Sequence, residues 1–123
     1  MSAGQRLLAV GVNRRNLELL ASLLSKGDYA TTIAVGLDQF DDALRSAQQF
    51  DLAIIDVAGL AREVWRRCAE LQQRDIPIIV ICPPRSSTVQ TEAIAHGAQA
   101  LLVKPVRGKE LLQIVQRMLE TGG

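Results

Sequence analysis

The chain is poor in the side chains that carry covalent or metal chemistry. Its 123 residues hold two cysteines and one histidine. Cys68 and Cys82 stand far apart, without metal-ligand or Cys-x-x-Cys spacing, which argues against a disulfide framework and fits a reducing, cytoplasmic setting. His96 has no second histidine and no Cys/His cluster beside it, so a surface position before Gly97 is expected and no metal site. The net charge is only +1, too little to argue for nucleic acid or an anionic membrane surface as partner. No apolar run approaches the roughly 20 residues that cross a bilayer. Residues 1–6 lead toward a strand without the layout of a signal peptide. Gly11-Val12-Asn13-Arg14 lacks the spaced glycines of a dinucleotide loop. Ser86-Ser87-Thr88 lacks a Gly-x-Ser-x-Gly elbow and reads as a loop with a helix cap.

What the chain does have is regular alternation of apolar runs and helical patterns. With 48% hydrophobic residues it fits one domain over residues 1–123, its core running from residue 6 to 120 or so. Strands are predicted over about 6–12, 31–35, 51–57, 76–82 and 100–103, from β-branched and aliphatic runs. Pro77 falls at the start of the fourth, where a missing N–H is tolerated. Helices are predicted over about 14–26, 38–49, 87–97 and 108–120, with another between Gly59 and the fourth strand. Asn13 and Asp38 are the expected N-caps of the first two. Phe40, Ala43, Leu44 and Ala47 are expected to face inward, as are Val64, Trp65, Cys68 and Leu71, and Leu111, Ile114, Val115 and Met118. Arg62, Arg66, Arg67 and Arg74 read as a solvated helix face, and the segment beginning at Thr121 as a frayed tail.

Five strand–helix pairs predict a parallel sheet covered by helices on both faces, a three-layer αβα architecture. Right-handed crossovers give a doubly wound sheet of order 2-1-3-4-5. Ligands of open α/β sheets bind at the carboxyl edge of the strands. Asp56 ends the run Leu52-Ala53-Ile54-Ile55, and Lys104 ends Ala100-Leu101-Leu102-Val103 and precedes Pro105. A carboxylate and an ammonium are therefore expected side by side at that edge. The first strand brings no acid there, ending in Gly11-Val12-Asn13.

Taken in order, Asp42-Ala43-Leu44, Phe50 to Asp56, Ile76-Pro77-Ile78-Ile79-Val80-Ile81, Gly97-Ala98 and Leu102-Val103-Lys104-Pro105 make the chain similar to the receiver domain of bacterial two-component response regulators, a flavodoxin-like fold. The resemblance covers nearly all of residues 6–120. It implies a phosphoacceptor aspartate at Asp56, and a lysine followed by a cis-proline at Lys104-Pro105. It also implies a histidine kinase or a downstream effector as protein partner, and dimers through the fourth helix, fifth strand and fifth helix.

The departures from that pattern are systematic. The acidic pair that holds magnesium in receivers is replaced by Gly11 and Val12, which supply no side-chain oxygen to a metal that wants hard oxygen ligands. The switch Ser/Thr position is Cys82, and the switch aromatic position is Leu101. The expectation is a pseudo-receiver, not an enzyme, with no cofactor and no magnesium. Asp56, Lys104, Pro105, Cys82, Gly11 and Val12 would then be the remnant of an active site, with Asp56 and Lys104 paired to each other. Ile94, Leu112 and Leu119 are the expected interface residues. Two alternatives stand beside this: a conventional phosphoacceptor at Asp56, and a flavodoxin-like cofactor-binding domain.

Overall fold

The computed structural model describes residues 4–121. Gly122 and Gly123 of the expected tail lie outside the described residues. The elements run β1 (Arg6–Gly11), α1 (Arg14–Ser25), β2 (Ala30–Val35), α2 (Gly36–Arg45), β3 (Leu52–Asp56), α3 (Val64–Gln73), β4 (Ile78–Cys82), α4 (Ser87–Ala95), β5 (Ala100–Val103) and α5 (Gly108–Thr121). The five strands form one sheet of order β2-β1-β3-β4-β5, with every neighbouring pair parallel.

Alternation along the strands divides the core into two layers. Leu8, Val10, Ala53, Ile55, Val80 and Cys82 turn to the face covered by α2, α3 and α4, where Phe40, Leu44, Trp65, Cys68, Leu71 and Ala93 meet them. Leu7, Leu52, Ile54, Ile79, Ile81 and Leu102 turn to the other face, against Leu24 of α1 and Leu111 and Val115 of α5. The central strands β3 and β4 are buried almost throughout because helices cover both of their faces. β2 and β5 are edge strands, and much of each is only partly covered.

Local chemistry sets several boundaries. Asn13 caps α1 as expected, its side-chain oxygen accepting from the Asn16 N–H at 3.0 Å. α2 starts earlier than the sequence pattern predicts and is not capped by Asp38. Val35 is its N-cap, and the Gln39 side-chain oxygen accepts from the Val35 N–H at 2.8 Å. The same helix stops at Arg45, where Ser46 turns extended and its hydroxyl donates to the Ala43 carbonyl. Ala47 is consequently exposed rather than inward. The expected arginine face is also not simply solvated. Arg67 makes a two-pronged bond to Asp41 at 2.9 and 2.8 Å, and Arg74 donates to the Leu44 carbonyl at 2.8 Å. Both arginines thereby tie α3 to α2.

Candidate functional site

Strand parity decides which side chains share the carboxyl edge. Asp56 follows Leu52 and Ile54 in phase, and Lys104 follows Leu102 in phase, so both belong to the α1/α5 side of the sheet. There the Lys104 ammonium stands 2.9 Å from Asp56 Oδ2. The other carboxylate oxygen, Oδ1, accepts from the Ala58 N–H at 3.2 Å. Asp56 is largely covered, with 15% of its side chain exposed, against 35% for Lys104. The Lys104–Pro105 peptide bond is cis. The sequence placed these residues correctly relative to one another.

Gly11 lies next to Asp56, as the β1–β3 pairing requires. A Cβ at Gly11 would sit 3.4 Å from the Asp56 Cβ and 3.3 Å from Leu17 Cδ2. Leu17 of α1 thus occupies the room a side chain at this position would use. Val12 leans the other way, its Cγ2 3.1 Å from where a Cβ on Gly59 would lie. Gly59 has φ +80°, so the loop after β3 can pass this close under Val12 only with glycine there. Among the described residues no three His, Cys, Asp or Glu side chains converge as a metal-binding group.

The remaining expected site residues are distributed differently. Cys82 is fully buried in the core under α3 and α4. Burial pushes its thiol up, and the Asp56 carboxylate pushes it further. Leu101 is half-buried against the same core layer. His96 is not a plain surface residue. Its ring stacks on Trp65 with centroids 5.4 Å apart and planes 16° apart, and its Nδ1 is 2.7 Å from the Glu92 carbonyl oxygen. The expected interface group is also divided. Ile94 is 62% exposed on α4. Leu112 and Leu119 are half-buried on the α1 side of α5, where Leu112 comes within 3.5 Å of the Cβ position of Gly27. Leu112 and Leu119 thus belong to the partly buried edge of the α1/α5 core layer, together with Tyr29.

A groove of about 570 Å³ opens beside the ion pair, and the sequence reasoning did not find it. Leu19, Leu20 and Leu23 form one wall and Pro84, Pro105 and Val106 the other, with Ile81, Asp56 and Lys104 at its floor. The doubled leucines Leu19-Leu20 and Leu23-Leu24 were the available signal. Leu24 fills the core stripe with Leu17, which leaves Leu19, Leu20 and Leu23 to line the groove.

No family model matches the chain. Among curated proteins it is 30% identical over 120 residues to the two-component response regulator ARR14 of Arabidopsis thaliana, covering 95% of this chain and 31% of that protein. It is 29% identical over 120 residues to ARR12 of the same plant, covering 96% and 20%. The chain thus spans a third or less of the length of these relatives. Among solved structures, the CheY-like response regulator receiver domain protein of Methanospirillum hungatei superposes with a TM-score of 0.84 at 21% identity, over 96% of this chain and 95% of that one. The receiver domain of NtrX from Brucella abortus does so with a TM-score of 0.81 at 23% identity, over 94% and 98%. Both bear out the flavodoxin-like fold.

Proposed function

We propose that this chain, a response-regulator receiver domain of the CheY-like type by its relatives and neighbours, signals through its unmodified fold and a protein partner rather than by accepting a phosphoryl group. The carrying observation is the state of Asp56. Both of its oxygens are engaged, one by Lys104 and one by the Ala58 N–H. Phosphoryl transfer depends on positioning and on neutralising the charge that develops on the transferred group. Here Lys104 supplies one positive charge, and that charge is already matched by Asp56.

The donor set does not fit magnesium. Position 11 carries no side chain, and the space near it is filled by Leu17. Position 12 is a valine turned over Gly59. A metal that takes six oxygens in near-octahedral geometry would find one carboxylate, itself paired. On this reading the domain is neither an enzyme nor a cofactor carrier. Ile94 on α4 and Val103 on β5 are exposed apolar side chains that a protein partner would cover.

Intact-mass measurement after incubation with acetyl phosphate, with and without magnesium, tests the proposal. The expected result is an unchanged mass in both. A gain of one phosphoryl group that disappears in Asp56→Asn would establish the conventional phosphoacceptor instead.

A further inference from the structure

A second hollow lies at the opposite edge of the sheet from Asp56, where the turn after α1 meets α5. Its volume, about 460 Å³, falls within the roughly 300–1,000 Å³ of small-molecule sites. Tyr29 lines it, one edge of its ring lying against Gly27, where a Cβ would stand 2.8 Å from Tyr29 Cε2. The missing side chain at Gly27 thus seats the ring. Leu112 and Leu119 add aliphatic surface, and Gln116 and Glu120 add polar lining. The Gln116 amide donates to the Glu120 carboxylate across a long 3.4 Å.

The electrostatics of this hollow have one sign. Glu120 makes no ion pair among the described residues. Burial pushes the Tyr29 hydroxyl up and the Glu120 carboxylate pushes it further, so the phenol is neutral at pH 7 and the carboxylate is felt at the ring. α1 ends at Ser25 and α5 at Thr121, which brings the negative ends of two helix dipoles to the same place. Neither helix carries a basic residue in its last turn. Arg6, Lys26 and Arg117 neighbour lining residues in the chain, but no lysine or arginine lines the hollow.

We infer that this hollow is a binding site for a small alkylated ammonium ion, its charge held by Glu120 and Tyr29 and its alkyl groups covering Leu112 and Leu119. An aromatic ring attracts a cation through its quadrupole, and most strongly a weakly hydrated one such as a quaternary ammonium. The carboxylate adds a full opposite charge in a partly enclosed place. An anion would meet that carboxylate and two helix C-termini, and a neutral molecule would leave the charge unanswered. A metal ion would find a single carboxylate, and no metal-binding group forms among the described residues. The site is independent of the state of Asp56, which lies at the other end of the strands.

The test is an amide-shift titration of the folded chain, at constant ionic strength, with choline, its uncharged carbon isostere 3,3-dimethylbutanol, and the anion 3,3-dimethylbutanoate. Choline is expected to give saturable shifts at Gly27, Tyr29 and Leu112, at an affinity at least about tenfold above the neutral isostere, and the anion none. Glu120→Gln, at an exposed position that leaves the core intact, should bring choline down to the affinity of 3,3-dimethylbutanol and leave that alcohol unchanged. Tyr29→Leu keeps an apolar side chain without the ring, and should weaken choline by about fivefold or more in protein whose urea midpoint shows it folded. Absent saturation by choline, equal binding of the neutral isostere, indifference to Glu120→Gln, or shifts centred on Asp56 instead of Tyr29 would each overturn the inference.

Discussion

Placing an acid at the end of β1 should make the stability of this domain depend on magnesium. In Gly11→Asp the new Cβ starts 3.4 Å from that of Asp56. Two ionised carboxylates about 5 Å apart repel by about 3 kcal/mol at an effective dielectric near 20, part of which is relieved if one of them takes up a proton. Leu17 Cδ2, at 3.3 Å from the same Cβ, must also shift by a few tenths of an ångström, which the end of a leucine side chain can do. Without metal the variant should therefore lose about 2–3 kcal/mol. With magnesium at ten times its dissociation constant it should regain about 1.4 kcal/mol, from mass action on the folded state alone. Urea unfolding followed by Trp65, the one tryptophan, measures both. Magnesium chloride is compared with sodium chloride at matched ionic strength, so that screening cancels. The wild-type chain should differ between the two salts by less than about 0.5 kcal/mol. A wild-type gain above about 1 kcal/mol would refute the reasoning, since the paired Asp56 would then be binding the metal without the missing acids.

Three further outcomes follow from contacts away from the groove. The Asp41–Arg67 bond holds the Asp41 carboxyl below its ordinary value, chiefly through the hydrogen bond from Arg67. Its contribution, about 1 kcal/mol in a double-mutant cycle with Asp41→Asn and Arg67→Met, should be fully present above the unfolded carboxyl's pKa near 3.9 and vanish as pH falls through the lower folded value. Gly97 has φ +100° and no room for a Cβ, which would stand 2.7 Å from the Gln72 side-chain oxygen. Gly97→Ala should cost about 1 kcal/mol or more, and adding Gln72→Ala should recover only the steric part, as read from urea midpoints. Cys68, whose thiol burial pushes up to about 12, and Cys82, also pushed up, should resist iodoacetamide in the native protein and react on unfolding. Rapid native labelling of Cys82 would contradict its burial.

The fold was legible because its signal is repeated. Five apolar runs of strand length, each followed by a helical stripe, leave little freedom once parallel pairing and right-handed crossovers are imposed. The Asp56–Lys104 pair was legible for the same reason, since both residues end buried strands and share a phase. What escaped was whatever depends on side chains meeting across elements. Nothing in the local pattern says that Arg67 reaches Asp41 or that His96 lies on Trp65. The α2 boundary was misplaced because its N-terminus is held by Gln39, four residues in, rather than by the aspartate that propensity favours. That Leu112 and Leu119, expected at an interface, are half covered depends on a neighbouring element that the local pattern does not name. They pack toward Tyr29 and Gly27, beside α1.

The end of β1 is not simply an acidic site with its acids deleted. Deleting two carboxylates from a polar pocket would leave Asp56 and Lys104 beside a void, and a void of that kind loses the dispersion contacts of every atom that lines it. Here the space near Gly11 is taken by Leu17, and Val12 closes on Gly59. Leu17 continues the aliphatic wall of Leu19, Leu20 and Leu23 beside the ion pair. An apolar side chain and an ion pair therefore stand side by side at this edge of the sheet. This coupling makes a specific prediction for Gly11→Asp combined with Leu17→Ala. The second change removes a core side chain, normally a loss of about 2–5 kcal/mol. In the acid-bearing background it also makes room for a hydrated metal, so with magnesium its cost should fall by about 1 kcal/mol relative to the same change in the wild-type chain. Urea midpoints for the four proteins of this cycle, each with and without magnesium, give the comparison. Strict additivity in both salts would show that Leu17 is an ordinary core residue with no bearing on the site, and the refilling argument would be wrong.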